Sequence, residues 1–115
     1  MGELPPQIQN IAAQLQQVQQ QLQVIIAQKA QLDSLIKESR DALEELEKSE
    51  GDFAFKAVGN VLVKMSKDDV KKDLKEKIET YEVRKNMLER QETKLRERFS
   101  ELQNKLKSSL SVQAG

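Results

Sequence analysis

Apolar residues recur along the first part of the chain at alternating steps of three and four: Ile8, Ile11, Leu15, Val18, Leu22, Ile25, then Lys29, Leu32, Ile36, Ser39, Leu43 and Leu46, with ten of these twelve positions apolar. The second part carries the same repeat through Leu74, Ile78, Tyr81, Lys85, Leu88, Glu92, Leu95, Phe99, Leu102 and Leu106. Such a repeat keeps one narrow stripe on one side of a helix, which is the seam of a coiled coil. Folding the chain back so that Leu43 faces Leu74, Ile36 faces Tyr81, Leu22 faces Leu95, Leu15 faces Leu102 and Ile11 faces Leu106 sets an a position against a d position in every layer, as an antiparallel pair requires. The centre of that pairing falls between Val58 and Gly59.

The residues around that centre have a different composition. Phe53, Phe55, Val58, Val61, Leu62 and Val63 are the aromatic and aliphatic types that suit a pleated surface, and Gly59-Asn60 can supply the positive φ of a two-residue hairpin loop. Strand chemistry and seam register therefore locate the same reversal. With that loop, Val58 faces Val61, Ala57 faces Leu62 and Phe55 faces Lys64; one face carries Phe53, Phe55, Ala57 and Leu62, the other Val58, Val61, Val63 and Met65. Both faces are largely apolar, and two strands alone are marginal in water with two open edges. Folding back onto the helices covers one face but leaves the edges open, so hairpins of other subunits are expected to complete a sheet or barrel through Phe53, Phe55, Val58, Val61, Leu62, Val63 and Met65.

The expected fold is mainly α: a long antiparallel two-helix coiled coil joined by a short β-hairpin that assembles into an oligomeric β-barrel platform. Boundaries follow from local signals within a single domain of residues 1–115. Pro5 and Pro6 suit a first helical turn, where a missing N–H leaves no gap, so the first helix covers about 6–49, a rod of about 60 Å at the helical rise. Gly51 is its natural C-cap. The hairpin covers about 52–65. Ser66 offers a capping side chain, and Asp68 and Asp69 place acids in a first turn, so the second helix covers about 67–110, with a short tail at 111–115.

Charge is uneven along this frame. From Leu4 to Gln28 there is no charged residue, and eleven glutamines lie between Gln7 and Gln31. Glutamine is a good helix former and serves simply to solvate an outer face. Its position at the end of the first rod farthest from the hairpin also suits a second role, because uncharged side chains are cheaper to desolvate than charges and hold varied apolar segments without charge selectivity. Leu4, Ile8, Ile11, Leu15, Leu102, Leu106 and Leu110 are the apolar residues of that tip; they are ordinary seam residues when the rods are closed and a binding surface when the rods splay. Within the seam, Lys29, Ser39, Lys85 and Glu92 are polar, which costs stability but specifies register; that reading is favoured over any site of chemistry. Lys29 and Glu92 fall one layer apart and are placed to pair.

Composition narrows the function classes. Aromatic residues are 3% and charged residues 33%, with four glycines and two prolines, a signature of long helices with a thin core that gains stability by assembly. Nineteen basic residues balance nineteen acidic ones, which gives no basic excess for a nucleic-acid partner. With no cysteine and no histidine, disulfides, the usual zinc sets and imidazole acid-base chemistry are absent. No phosphate-cradling glycine loop is present, and carboxylates such as Glu44, Glu45 and Glu47 fall on solvated faces. No catalytic residue, metal or cofactor is expected, and the chain reads as a non-enzyme. No apolar run reaches the length of a membrane span, and MGELPPQ lacks a signal-peptide layout, so a soluble cytoplasmic protein with no membrane partner is expected.

Taken together, Leu4-Pro5-Pro6 followed by a glutamine-rich heptad run, the central Phe55-Lys56-Ala57-Val58-Gly59-Asn60-Val61-Leu62-Val63-Lys64 and the segment Leu88-Glu89-Arg90-Gln91-Glu92 resemble the β-class subunit of prefoldin, in a form suggestive of an archaeal complex. The resemblance covers essentially the whole chain. It implies a hexamer of two α-class and four β-class subunits, with the hairpins forming a β-barrel platform. It further implies an ATP-independent holdase that grips non-native proteins at the coiled-coil tips and passes them to a group II chaperonin. The residues alone also allow a coiled-coil spacer or adaptor that oligomerises through its hairpin and binds one partner, and, less readily, an RNA-binding arm.

Overall fold

A computed structural model of the chain describes residues 4–114. Its elements run α1 (Pro6–Lys48), β1 (Phe53–Val58), β2 (Val61–Ser66) and α2 (Lys67–Ala114). The start of α1 is held by the Pro5 carbonyl, which accepts from the backbone N–H groups of Ile8 and Gln9, both at 3.0 Å, and by the Gln9 side-chain amide, which donates to the Leu4 carbonyl at 2.6 Å. The bond from Ile8 uses an N–H that a helix otherwise leaves unpaired at its start. At the other end the Ser49 hydroxyl donates to the Leu46 carbonyl at 2.9 Å, and the Lys67 ammonium donates to the Ser49 carbonyl. Gly51, with φ of 95°, turns the chain just beyond the helix end.

Ser66 closes β2 and caps α2, its hydroxyl accepting from the Asp69 N–H at 3.1 Å, while Asp68 and Asp69 fall in the first turn where the helix dipole favours acids. The sequence places the end of α2 near residue 110, whereas the helix continues through residues 111–114. No glycine or proline stands between Leu110 and Gly115 to interrupt it.

The chain divides into two compact units. The first, Met1–Lys29 with Met87–Gly115, has an apolar cluster of Ile11, Val18, Leu22 and Leu102, against which Leu15, Leu95, Phe99 and Leu106 pack. These are seam positions of both helices, and they include the residues expected to pair as Leu15 with Leu102, Leu22 with Leu95 and Ile11 with Leu106. Outside the seam, the Arg98 guanidinium donates to the Gln14 side-chain oxygen at 3.0 Å.

The second unit, Ala30–Asn86, buries Leu32, Ile36 and the small polar Ser39 on α1, with Leu43, Leu74, Ile78 and Tyr81 half-buried. Its helices are tied across the seam by Asp33 with Lys85 at 2.6 Å and by Arg40 with Glu82. The hairpin lies in this unit. Its strands pair antiparallel as Phe53 with Ser66, Ala54 with Met65, Phe55 with Lys64, Lys56 with Val63, Ala57 with Leu62 and Val58 with Val61. Gly59 takes φ of 60° while no residue other than glycine has positive φ among the described residues. A left-handed glycine in the first central position only is the pattern of a type II′ turn, whose twist matches that of paired strands.

Candidate assembly surface and helix-end site

The strand register sends side chains to two faces. Phe53, Phe55, Ala57, Leu62 and Lys64 share one, and all are exposed. Phe55 is 66% and Leu62 69% accessible. The Lys64 ammonium sits 4.2 Å from the centre of the Phe53 ring, an attraction to the ring face that leaves the other side of the phenyl open.

On the opposite face Ala54, Lys56 and Met65 are half-buried, while Val63 and, next to the turn, Val58 and Val61 are exposed. Lys56 reaches Asp73 on α2 at 3.0 Å, and the Lys67 backbone N–H donates to the Asp52 carbonyl at 2.8 Å, so the base of the hairpin is fastened to the helix that follows it. Of the seven residues nominated for assembly only Met65 is partly covered. The sheet has two strands, hence two edges with unpaired backbone groups beside apolar faces. Such a surface is a template for adding further strands.

The residues nominated at the helix ends divide differently. Leu102 is 1% and Ile8 3% accessible, and Ile11 is buried; Leu15 and Leu106 are half-buried in the same cluster as Ile11 and Leu102. Leu4 and Leu110 are exposed, as is Val112. The structure thus joins Ile11, Leu15, Leu102 and Leu106 in a closed seam and leaves Leu4 and Leu110 on the surface.

Val24 and Ile26 were not singled out from the sequence, yet both are exposed while Ile25 between them is buried. Ile25 occupies the seam, and a helical step of about 100° either way turns its neighbours onto opposite flanks. Val24 lines a groove of about 740 Å³ whose walls carry Gln17, Gln21, Gln28, Gln91 and Lys94, with Ile25 and Leu95 also lining it. The unbroken apolar triplet Val24-Ile25-Ile26 was the available signal.

The polar layer closing this unit is formed as its spacing suggests. Lys29 donates to Glu92 at 2.8 Å and lies 3.9 Å from Glu89. Glu92, 14% exposed, also accepts from the Arg96 guanidinium at 2.7 Å. Hydrogen bonding from Lys29 first, and from Arg96 second, holds the Glu92 carboxyl below its ordinary value of 4.5, because both donors favour the charged form. Among the described residues no helix is long and apolar enough to cross a membrane.

Comparison with known proteins agrees with this geometry. The sequence matches the family described as prefoldin subunit over residues 9–113. It is 60% identical to the prefoldin subunit beta of Archaeoglobus fulgidus, with the full length of both chains covered. It is 44% identical to that of Pyrococcus furiosus over 96% of this chain and 95% of the relative. A crystal structure of the prefoldin beta subunit from Thermococcus strain KS-1 superposes with a TM-score of 0.87 at 45% identity, covering 96% of this chain and 97% of that one. With family match, full-length relatives and fold all in agreement, the chain belongs to the prefoldin family of chaperones, in its β-subunit class.

Proposed function

We propose that the chain is a subunit of an ATP-independent holdase: its hairpin joins it to an α-class subunit and to further copies of itself, in a hexamer of two α and four β chains. The ends of its helices capture non-native polypeptides and release them to a group II chaperonin. The observation that carries this reading is the hairpin, whose apolar faces and two free edges need strands from other chains. Capture is assigned to the other unit, where α1 has no charge from Leu4 to Gln28 and overlies a continuous apolar cluster. Leu4 and Leu110 offer immediate apolar contact. Ile8, Ile11, Leu15, Leu102 and Leu106 become available when the seam parts.

The test is suppression of aggregation of several unrelated denatured proteins by the assembled oligomer without ATP, repeated after removing residues 1–12 and 104–115. Capture is expected to vanish with the oligomer intact. Protection of a single protein only marks an adaptor instead, and dissociation of the truncated oligomer refutes the division of labour between hairpin and helix ends.

A further inference from the structure

The ties between α1 and α2 are unevenly placed along the chain. From Leu4 to Gln28 α1 has no charged side chain, so no ion pair joins that stretch to α2. Among the described residues, the one side-chain hydrogen bond between the helices there runs from Arg98 to Gln14 at 3.0 Å. Lys29 is the first charge after the stretch, and it meets Glu92 at 2.8 Å and Glu89 at 3.9 Å. Further along the chain toward the hairpin, α1 meets α2 again through Asp33 with Lys85 and Arg40 with Glu82. We infer that the layer of Lys29 and Glu92 is the inner limit of a seam-opening motion: the helix ends part as far as this layer, and the ion-paired stretch on its hairpin side stays closed.

The two stretches are held by different forces. Outside the layer, contact between the helices is the apolar cluster of Ile11, Val18, Leu22 and Leu102 with its half-buried neighbours, and burial of that kind is non-directional. The charges of α2 out there have none on α1 to meet; Arg98 turns instead to Glu101 of its own helix at 3.5 Å. At the layer, parting must also separate Lys29 from two carboxylates. The side chains of Lys29 and Glu92 are only 23% and 14% exposed, and Arg96 bonds the other Glu92 oxygen at 2.7 Å. A lone exposed pair contributes little, but a network does more, and charge-assisted bonds shielded from solvent are strong and weakly screened. The compact unit formed by Met1–Lys29 and Met87–Gly115 ends at the same layer. Local opening follows such units, the least tied parting first.

The inference deepens the proposed function by fixing how much seam is uncovered: Ile8, Ile11, Leu15, Leu102 and Leu106 lie outside the limit, while Leu32 and Ile36 lie inside it. It rests on that reading only for what an open end holds.

The experiment is amide hydrogen exchange, read by mass spectrometry on the assembled oligomer with no denatured protein present. Residues 8–28 are expected to exchange about tenfold faster than residues 30–45, with a matching step on α2 at Glu92. Lys29→Glu sets an acid against Glu89 and Glu92, and it should carry fast exchange inward to the tie between Asp33 and Lys85. Adding Glu92→Lys restores opposite charges and should return the step to residue 29. Lys37→Glu alters an exposed pair within α1 alone and should leave the step in place. If Lys29→Glu does not assemble, Glu92→Gln decides, because it weakens the same bond without reversing it and should narrow the step about two- to fivefold. Protection that rises smoothly from the helix ends with no step overturns the inference. So does a step that neither Lys29→Glu nor Glu92→Gln alters, or one that Lys37→Glu moves equally. A step at Lys29 in an oligomer that suppresses no aggregation removes the capture reading and leaves the limit standing; suppression without a step does the reverse.

Discussion

Glu92 of α2 accepts a 2.8 Å hydrogen bond from Lys29 of α1, placing an ion pair in a seam whose neighbouring layers hold Leu22, Ile25 and Leu95. The Lys29 ammonium also faces Glu89 from α2, and Arg96 braces the other Glu92 oxygen. Two cations against two carboxylates leave this layer balanced at neutral pH.

Acid should loosen it. The Glu92 carboxyl is held below 4.5 in the folded chain, so its stabilising contribution is fully present above that value and is lost as pH falls through the lower folded value. Glu92→Gln is expected to lower the thermal midpoint at neutral pH and to leave it unchanged in strong acid. Thermal melts of both proteins across that range measure the difference; a gap that is the same at every pH refutes the assignment.

Two leucines nominated for the same role should separate in stability. Leu102 is the most buried large side chain and part of the apolar cluster, so Leu102→Ala should cost about 2–5 kcal/mol in urea unfolding. Leu110 is exposed, so Leu110→Ala should stay within about 0.5 kcal/mol. A loss of capture in the Leu110 variant at unchanged stability marks direct contact with the captured chain.

On the hairpin, Phe55→Ala and Leu62→Ala remove side chains that touch little within one chain. Native mass spectrometry is expected to show weakened assembly, by about 2 kcal/mol or more if each anchors a neighbouring chain, with helix content by circular dichroism unchanged. Assembly as strong as in the parent chain excludes this face from the interface.

Gly59→Ala tests backbone strain alone. An added Cβ meets nothing within 4 Å, yet φ of 60° disfavours any side chain by about 1–2 kcal/mol. The variant should therefore weaken hairpin and assembly together, read as an earlier urea midpoint of the oligomer.

Much of this is legible in the sequence. The heptad positions that predict Leu15 with Leu102 and Leu22 with Leu95 fall in one cluster, and the Gly59-Asn60 loop sets the strand register, because periodicity and turn chemistry are local signals. The Gly59-Asn60 loop supplies its positive φ at Gly59, since a II′ turn asks for only one such residue. Whether Ile8 and Leu102 serve the seam alone or also a guest is not legible, because the same hydrophobicity suits both; in the structure they are buried. Ties such as Lys56 with Asp73 and Arg40 with Glu82 join long side chains of separate elements, and no sequence spacing encodes them.

The open hairpin also bears on how such a chain is supplied. A newly made copy that meets no companion displays Phe53, Phe55 and Leu62 beside bare strand edges, and strand addition does not discriminate strongly among takers. A lone copy is therefore open to unselective strand pairing, an exposure concentrated in six residues on either side of one turn.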